Sequence, residues 1–132
     1  NAVGGVVQES TYAMARYRFK IIAEFGILVR HFLMCRRDVK QNKIKAIMAH
    51  PQVFKQCQKN LASKYSTYKL ISGKGDLLDT AKAAAALAKG QLAQDRAILG
   101  PASLAKLYSF CTIAEDLQDN KNNITTFFVV KR

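Results

Sequence analysis

Short apolar runs alternate with segments of helical spacing along most of this chain, and that alternation confines it to a layered α/β fold. Phe19 to Glu24 and Ile27 to Cys35 read as extended, rich in Ile, Val and Phe, after a helix expected near residues 6–17. Lys43 to His50 alternates like a short strand. Pro51 then suits the first position of a helix, where its missing N–H would have no partner in any case. Val53, Phe54, Cys57 and Leu61 fall on one face of that helix. Tyr68 to Ser72 is a predicted strand, stopped by Gly73-Lys74-Gly75. Asp76 or Asp79 caps an alanine-rich helix from Thr80 to Lys89, and Gly90 closes it. Arg96 to Leu99 predicts a short buried strand, Gly100-Pro101 turns into a helix through Leu104 and Tyr108, and Thr112 to Glu115 and Thr126 to Val130 supply two more strands. No internal repeat or low-complexity linker interrupts the pattern, and 132 residues are enough for one domain with a single core.

The charge limits what such a domain meets. Lys and Arg number 21 against 9 Asp and Glu, a formal +12, and residues 1–66 hold +9 of it. That field favours anionic partners: a small anion, an acidic protein, nucleic acid or a membrane surface. The basic residues are scattered rather than gathered into one block, which disfavours nucleic acid among these. Arg30, His31, Arg36 and Arg37 interrupt the longest apolar runs, leaving no transmembrane helix. Cys35, Cys57 and Cys111 lack metal-ligand spacing and are odd in number, so free thiols in a reducing compartment are expected. His31 and His50 are too distant in sequence for a local metal motif. No metal and no cofactor is expected. Asn1 opens the chain where a methionine would be usual, which suggests a processed product or part of a longer protein.

Five ordered motifs carry a resemblance. Asn1-Ala2-Val3-Gly4-Gly5 comes first, then Ile22-Ala23-Glu24 with Val29-Arg30-His31, then Ala49-His50-Pro51-Gln52 with Gln56-Cys57. Asp79-Thr80-Ala81-Lys82-Ala83-Ala84 follows, and Ala102 to Tyr108 precedes Leu117-Gln118-Asp119 and Asn123-Ile124-Thr125-Thr126-Phe127. Together they resemble the prephenate and arogenate dehydratases over nearly the whole chain. The resemblance implies one lobe of a periplasmic-binding-protein-like catalytic domain, a mixed sheet flanked by helices. It places a first lobe before Asn1 and leaves out a C-terminal regulatory ACT domain.

The chemistry implied is dehydration with decarboxylation in phenylalanine synthesis, which needs a proton donor for the departing hydroxyl and groups that hold carboxylates. By resemblance Thr125 is that donor if the chain is active, and Asn1, Asn123 and Phe127 bind substrate. Thr126 stands where the family has arginine, Ala2 and Ala49 replace serines, and Lys82 replaces a glycine. A neutral hydroxyl cannot reproduce a bidentate guanidinium, so these changes predict a degraded site. The expected role is a non-catalytic structural or binding subunit of a larger assembly with protein partners, in a plastid or mitochondrion. The alternatives are an active prephenate or arogenate dehydratase with Lys82 as substitute cation, and a basic nucleic-acid-associated protein. On residue type alone, Thr125-Thr126 are simply β-branched residues entering a strand, His50 begins a helix, and Lys82 is solvated.

Overall fold

The computed structural model describes residues 20–122 and 124–131. Asn1, Ala2 and Asn123, and the helix expected over residues 6–17, lie outside them. Residues 30–121 form one compact unit, and the described residues on either side of it belong to a second.

The larger unit is a five-stranded mixed sheet with helices on both faces. Its strands are β2 (Phe32–Cys35), β3 (Ala46–Met48), β4 (Lys69–Ile71), β5 (Arg96–Gly100) and β6 (Cys111–Ala114), in the order β4-β3-β5-β2-β6. β3 runs parallel to β4 and β5, and β2 runs antiparallel to β5 and β6. The three inner strands read as continuous apolar runs because both of their faces are buried. Alternate residues then feed two cores. Leu33, Cys35, Ile47, Ala97 and Leu99 pack with Cys57 and Leu61. Phe32, Met34, Met48 and Ile98 pack with Ala83, Ala84, Leu87 and Leu104. The first core is roofed by α1 (Pro51–Gln56) and α2 (Gln58–Lys64), the second by α3 (Thr80–Ala88) and α4 (Ser103–Tyr108).

Asp79, rather than Asp76, caps α3: its carboxylate accepts from Ala81 N (2.8 Å) and Lys82 N (3.2 Å). At the other end Gly90 adopts φ +75°, its N–H donates to Leu87 O, and Gln91 N donates to Ala86 O. This paired closure needs a left-handed residue, and glycine fills that position without strain.

Two expectations need correction. The single helix expected across Pro51 to Leu61 is split at Cys57, whose backbone (φ −115°, ψ 12°) leaves the helical region. The split is stabilised from afar. Asp119 Oδ2 accepts from Lys59 N (2.8 Å) and Oδ1 from Asn60 N (2.9 Å), so a residue 60 positions away caps α2. The extended run expected from Ile27 to Cys35 also breaks. β1 ends at Leu28 and β2 starts at Phe32. His31 leaves the ladder because its N–H donates to Gln118 Oε1 (2.9 Å) and its carbonyl accepts from Leu117 N (2.9 Å).

The second unit's described part is a two-stranded antiparallel ribbon, β1 (Lys20–Leu28) with β7 (Ile124–Lys131), interrupted by one irregularity between Ile21 and Ala23. It is longer than the runs expected at Phe19 to Glu24 and Thr126 to Val130. Leu28 pairs with Ile124 at one end and Lys20 with Lys131 at the other.

Two measurements check these interactions. Asp119→Ala removes both acceptors from α2 and should lower unfolding free energy by about 1–2 kcal/mol, while Asp119→Asn keeps one of the two acceptor oxygens and should lose less; equal losses in urea titrations of both variants would refute the cap. The second concerns Asp116, which holds Arg30 through two bonds of 2.6 and 2.9 Å. The Arg30 guanidinium holds the Asp116 carboxyl at about 2, with smaller help from Gln118 and Lys121. A depressed carboxylate stabilises the fold above its unfolded value of roughly 4, and that contribution fades as pH falls toward about 2. Asp116 sits at φ 56°, which asparagine tolerates. The urea-midpoint gap between the unaltered chain and Asp116→Asn should therefore be constant above about pH 5 and close between about pH 4 and pH 2. A gap that persists unchanged at the low end would rule the pair out.

Candidate functional site

The ribbon carries Thr125, Thr126 and Phe127, and its register decides which of them can act together. Thr125 pairs with Ile27, Thr126 with Gly26 and Phe127 with Phe25. Successive side chains on a strand point to opposite faces. Thr125 and Phe127 therefore share a face, where Phe127 stacks on Phe25 with ring centroids 5.5 Å apart and an interplanar angle of 21°. Thr126 lies on the other face with Ile124, Phe128 and Glu24. Gly26 keeps that face tight: a Cβ there would stand 2.7 Å from Ile124 Cγ2. Among the described ribbon residues, cations occur only at Lys20 and Lys131, paired with each other. Lys131 is five residues beyond Thr126, about 17 Å along the strand. Glu24, diagonal to Thr126 across the ribbon, is the only described acid there.

In the larger unit, His50, Gly75, Asp76, Leu78, Asp79 and Lys82 line a hollow of about 380 Å³. Of the expected positions Lys82 lines this hollow; buried Ala49 does not, although it directly precedes the lining residue His50 after β3. His50 Nδ1 accepts from Gln52 N (3.1 Å). His50 is thereby the N-cap of α1, as its place before Pro51 suggests. Lys82 Nζ stands 3.6 Å from Asp76 Oδ1 with both side chains largely exposed, a weak, solvent-screened pair. The first-turn N–H groups of α3 at Ala81 and Lys82 already bond to Asp79. Nothing in this hollow offers a bidentate cation, and Ala49 offers no hydroxyl. A larger hollow of about 590 Å³ beside α1, α2 and β4 is mostly apolar, lined by Phe54, Leu61, Tyr65, Tyr68 and Leu70, with Lys55 as its cation.

Sequence reading missed a buried polar network that joins three of the motifs. His31 is 6% exposed, and its Nε2 lies 2.6 Å from Gln56 Oε1. Its Nδ1 is buried with no hydrogen-bond partner among the described residues. Gln118, 2% exposed, accepts from His31 N and reaches Asp116 Oδ1 at 3.4 Å. Asp119 N donates to Gln56 O (2.7 Å), and Asn60 Nδ2 donates to Leu117 O (2.9 Å). The available signal was the presence of His31, Gln56 and Gln118-Asp119 within separate motifs; their convergence depends on tertiary structure. Among the described residues, no group of three or more His, Cys, Asp or Glu side chains could hold a metal ion, and no helix is long and apolar enough to cross a membrane.

Comparison with known proteins accounts for the shared pattern. The chain is 31% identical over 132 residues to arogenate dehydratase 2 of Petunia hybrida, covering all of this chain and 32% of that protein. It is 30% identical over 132 residues to the chloroplastic arogenate dehydratase/prephenate dehydratase 2 of Arabidopsis thaliana, again covering all of this chain and 33% of that protein. The chain therefore spans about a third of the length of these relatives. The crystal structure of prephenate dehydratase from Arthrobacter aurescens, in complex with L-Phe, superposes with a TM-score of 0.77 at 24% identity, covering 98% of this chain and 41% of that one. This likeness extends the observed mixed sheet and flanking helices to the periplasmic-binding-protein-like fold. The family model for prephenate dehydratase matches residues 1–132, and this chain belongs to that family.

Proposed function

We propose that this chain has kept the dehydratase fold without the family's carboxylate clamp, and serves as a non-catalytic structural or binding subunit of a larger assembly. The observation that carries this reading is Thr126. It lies mid-ribbon, and among the described ribbon residues the cations are Lys20 and Lys131 at the far end, Lys131 about 17 Å along β7. The neighbouring losses agree. Ala49 has no hydroxyl, and Lys82, the natural substitute cation, is shared with Asp76. A subunit role also suits the ribbon's surface, where Ile22 is 55%, Ile27 50% and Phe25 48% exposed. Apolar side chains concentrated this way are more stable against a partner than in water. The +12 charge selects an acidic partner or a small anionic ligand over a neutral one. A plastid setting, ahead of a mitochondrial one, follows the chloroplastic relative.

The second reading is an active prephenate or arogenate dehydratase in phenylalanine synthesis, with Thr125 as donor. One observation favours it: Lys82 and His50 border the same hollow, so a cation and an imidazole are already adjacent. The two readings separate in one assay of the full-length protein with prephenate and with arogenate, beside a Thr126→Arg variant. The unaltered protein should show no turnover above background. Thr126→Arg should tighten prephenate binding roughly tenfold to a hundredfold, from the 1.5–3 kcal/mol of a charge-assisted contact. It should do so without restoring turnover, because Ala2 and Ala49 still lack hydroxyls. Phenylpyruvate or phenylalanine production by the unaltered protein would overturn the non-catalytic reading. Turnover by the variant alone would confine the defect to the lost arginine.

A further inference from the structure

Cys35 and Cys111 are direct partners across the antiparallel pair β2–β6. Residues opposed in this way project to the same face with Cα atoms about 4.5–5.5 Å apart, within the roughly 4.4–6.8 Å range that a disulfide spans. Their burial agrees with one shared face. Cys35 is fully buried in the core beneath α1 and α2, and Cys111 packs against that same cluster. The two differ in access. β6 is an edge strand, and Cys111 is only half-buried, its Sγ 3.7 Å from Gln41 Nε2. Burial raises the Cys35 thiol above its ordinary value, and the neighbouring Cys111 raises it further, which places the two sulfurs within each other's field. Cys57 shares this core but sits at the α1–α2 junction rather than opposite either thiol on a strand, and burial pushes it up to about 12.

We propose that Cys35 and Cys111 form a dithiol oxidation site, in which Cys111 reacts with a small disulfide of the glutathione type and Cys35 resolves the product into a cross-strand disulfide. The Cys111 thiolate attacks one sulfur of the oxidant, breaking its S–S bond and releasing the first thiol after proton uptake. Cys35 then attacks Cys111 Sγ, its proton passing to the departing thiolate, which leaves as the second thiol. Two protein thiols are oxidised and one external disulfide is reduced to two thiols, so electrons and protons balance. The bond would pin edge strand β6 to β2 immediately before Asp116, Gln118 and Asp119, the residues that hold Arg30, His31 and α2.

The test uses the full, reduced chain with glutathione disulfide at about pH 8, where thiolate is appreciable, read by intact mass and peptide mapping. The expected product is lighter by two hydrogens, contains a linked Cys35–Cys111 peptide, retains a free Cys57, and reverts with dithiothreitol. Cys35→Ala should instead accumulate a glutathione adduct at Cys111, and Cys111→Ser should form neither product. A stable Cys111 adduct on the unaltered chain, a crosslink involving Cys57, or no reaction while circular dichroism stays native would each overturn the proposal. Mapping of the unaltered chain decides the matter even if Cys35→Ala fails to fold.

Discussion

The Asp119 carboxylate over the backbone of Lys59 and Asn60 is the interaction on which the larger unit's first core depends. α1 and α2 are only 6 and 7 residues long, far below the dozen or more at which an isolated helix becomes stable in water. Each must be held at its ends and against the sheet. His50 caps the first, but α2 begins at Cys57, whose side chain supplies no capping bond. Asp119 supplies it, and the same segment closes the network through Gln118 to His31 and through Asp119 N to Gln56. The roof over Leu33, Ile47 and Leu99 is therefore complete only when the end of this unit has returned to its middle. Such long-range closure is entropically expensive early in folding and favours a late, cooperative step.

This dependence also explains what could be read from residues alone. Pro51 at the first helical turn, Asp79 before Thr80 and Gly90 after Ala88 act within a few positions of what they control, and each proved to do what local chemistry dictates. The inner strands were legible for a different reason. Phe32 to Cys35 and Ala97 to Leu99 are apolar without interruption, which suits strands buried on two faces. The break at Cys57 and the departure of His31 from the ladder were not legible, because their causes are Asp119 and Gln118, dozens of residues away. At the site, Lys82 and His50 could be named individually, but their sharing of one hollow depends on how β3 and α3 are arranged in the sheet. Likewise Thr125 and Phe127 were named together with Thr126; strand alternation sets Thr126 on the opposite face, and what needed the structure was the register that supplies Ile27, Gly26 and Phe25 as their partners.

The separation matters for chemistry. A guanidinium at position 126 would lie diagonal to Glu24, close enough for a long side chain to bridge the strands. Glu24 would orient such a cation; with threonine there, it has no described ribbon cation nearer than the far end. On the proposed non-catalytic reading, threonine at this position leaves Glu24 without the guanidinium it would otherwise orient, and an anionic substrate without its clamp. Lys82 cannot compensate fully, since its ammonium is a hydrated point charge shared with Asp76, without the planar fork that binds a carboxylate in two places.

The ribbon sets the terms for any role the protein has. Two paired strands alone are marginal in water, and a third strand or a packed helix is normally required for such a pair to persist. Here both strands carry large apolar residues at exposed positions, among them Ile21, Ile22, Phe25 and Leu28 on one and Phe127, Val129 and Val130 on the other. Lys20 and Lys131 are paired at one end, and like charges set opposite each other destabilise a strand pair. Burying the apolar side chains and neutralising the facing lysines would each stabilise the described ribbon. An apolar partner face bordered by carboxylates meets both demands at once, whereas a small anion would satisfy only the lysines. The described ribbon's apolar exposure and facing lysines therefore support the protein partner proposed above more than a small anion.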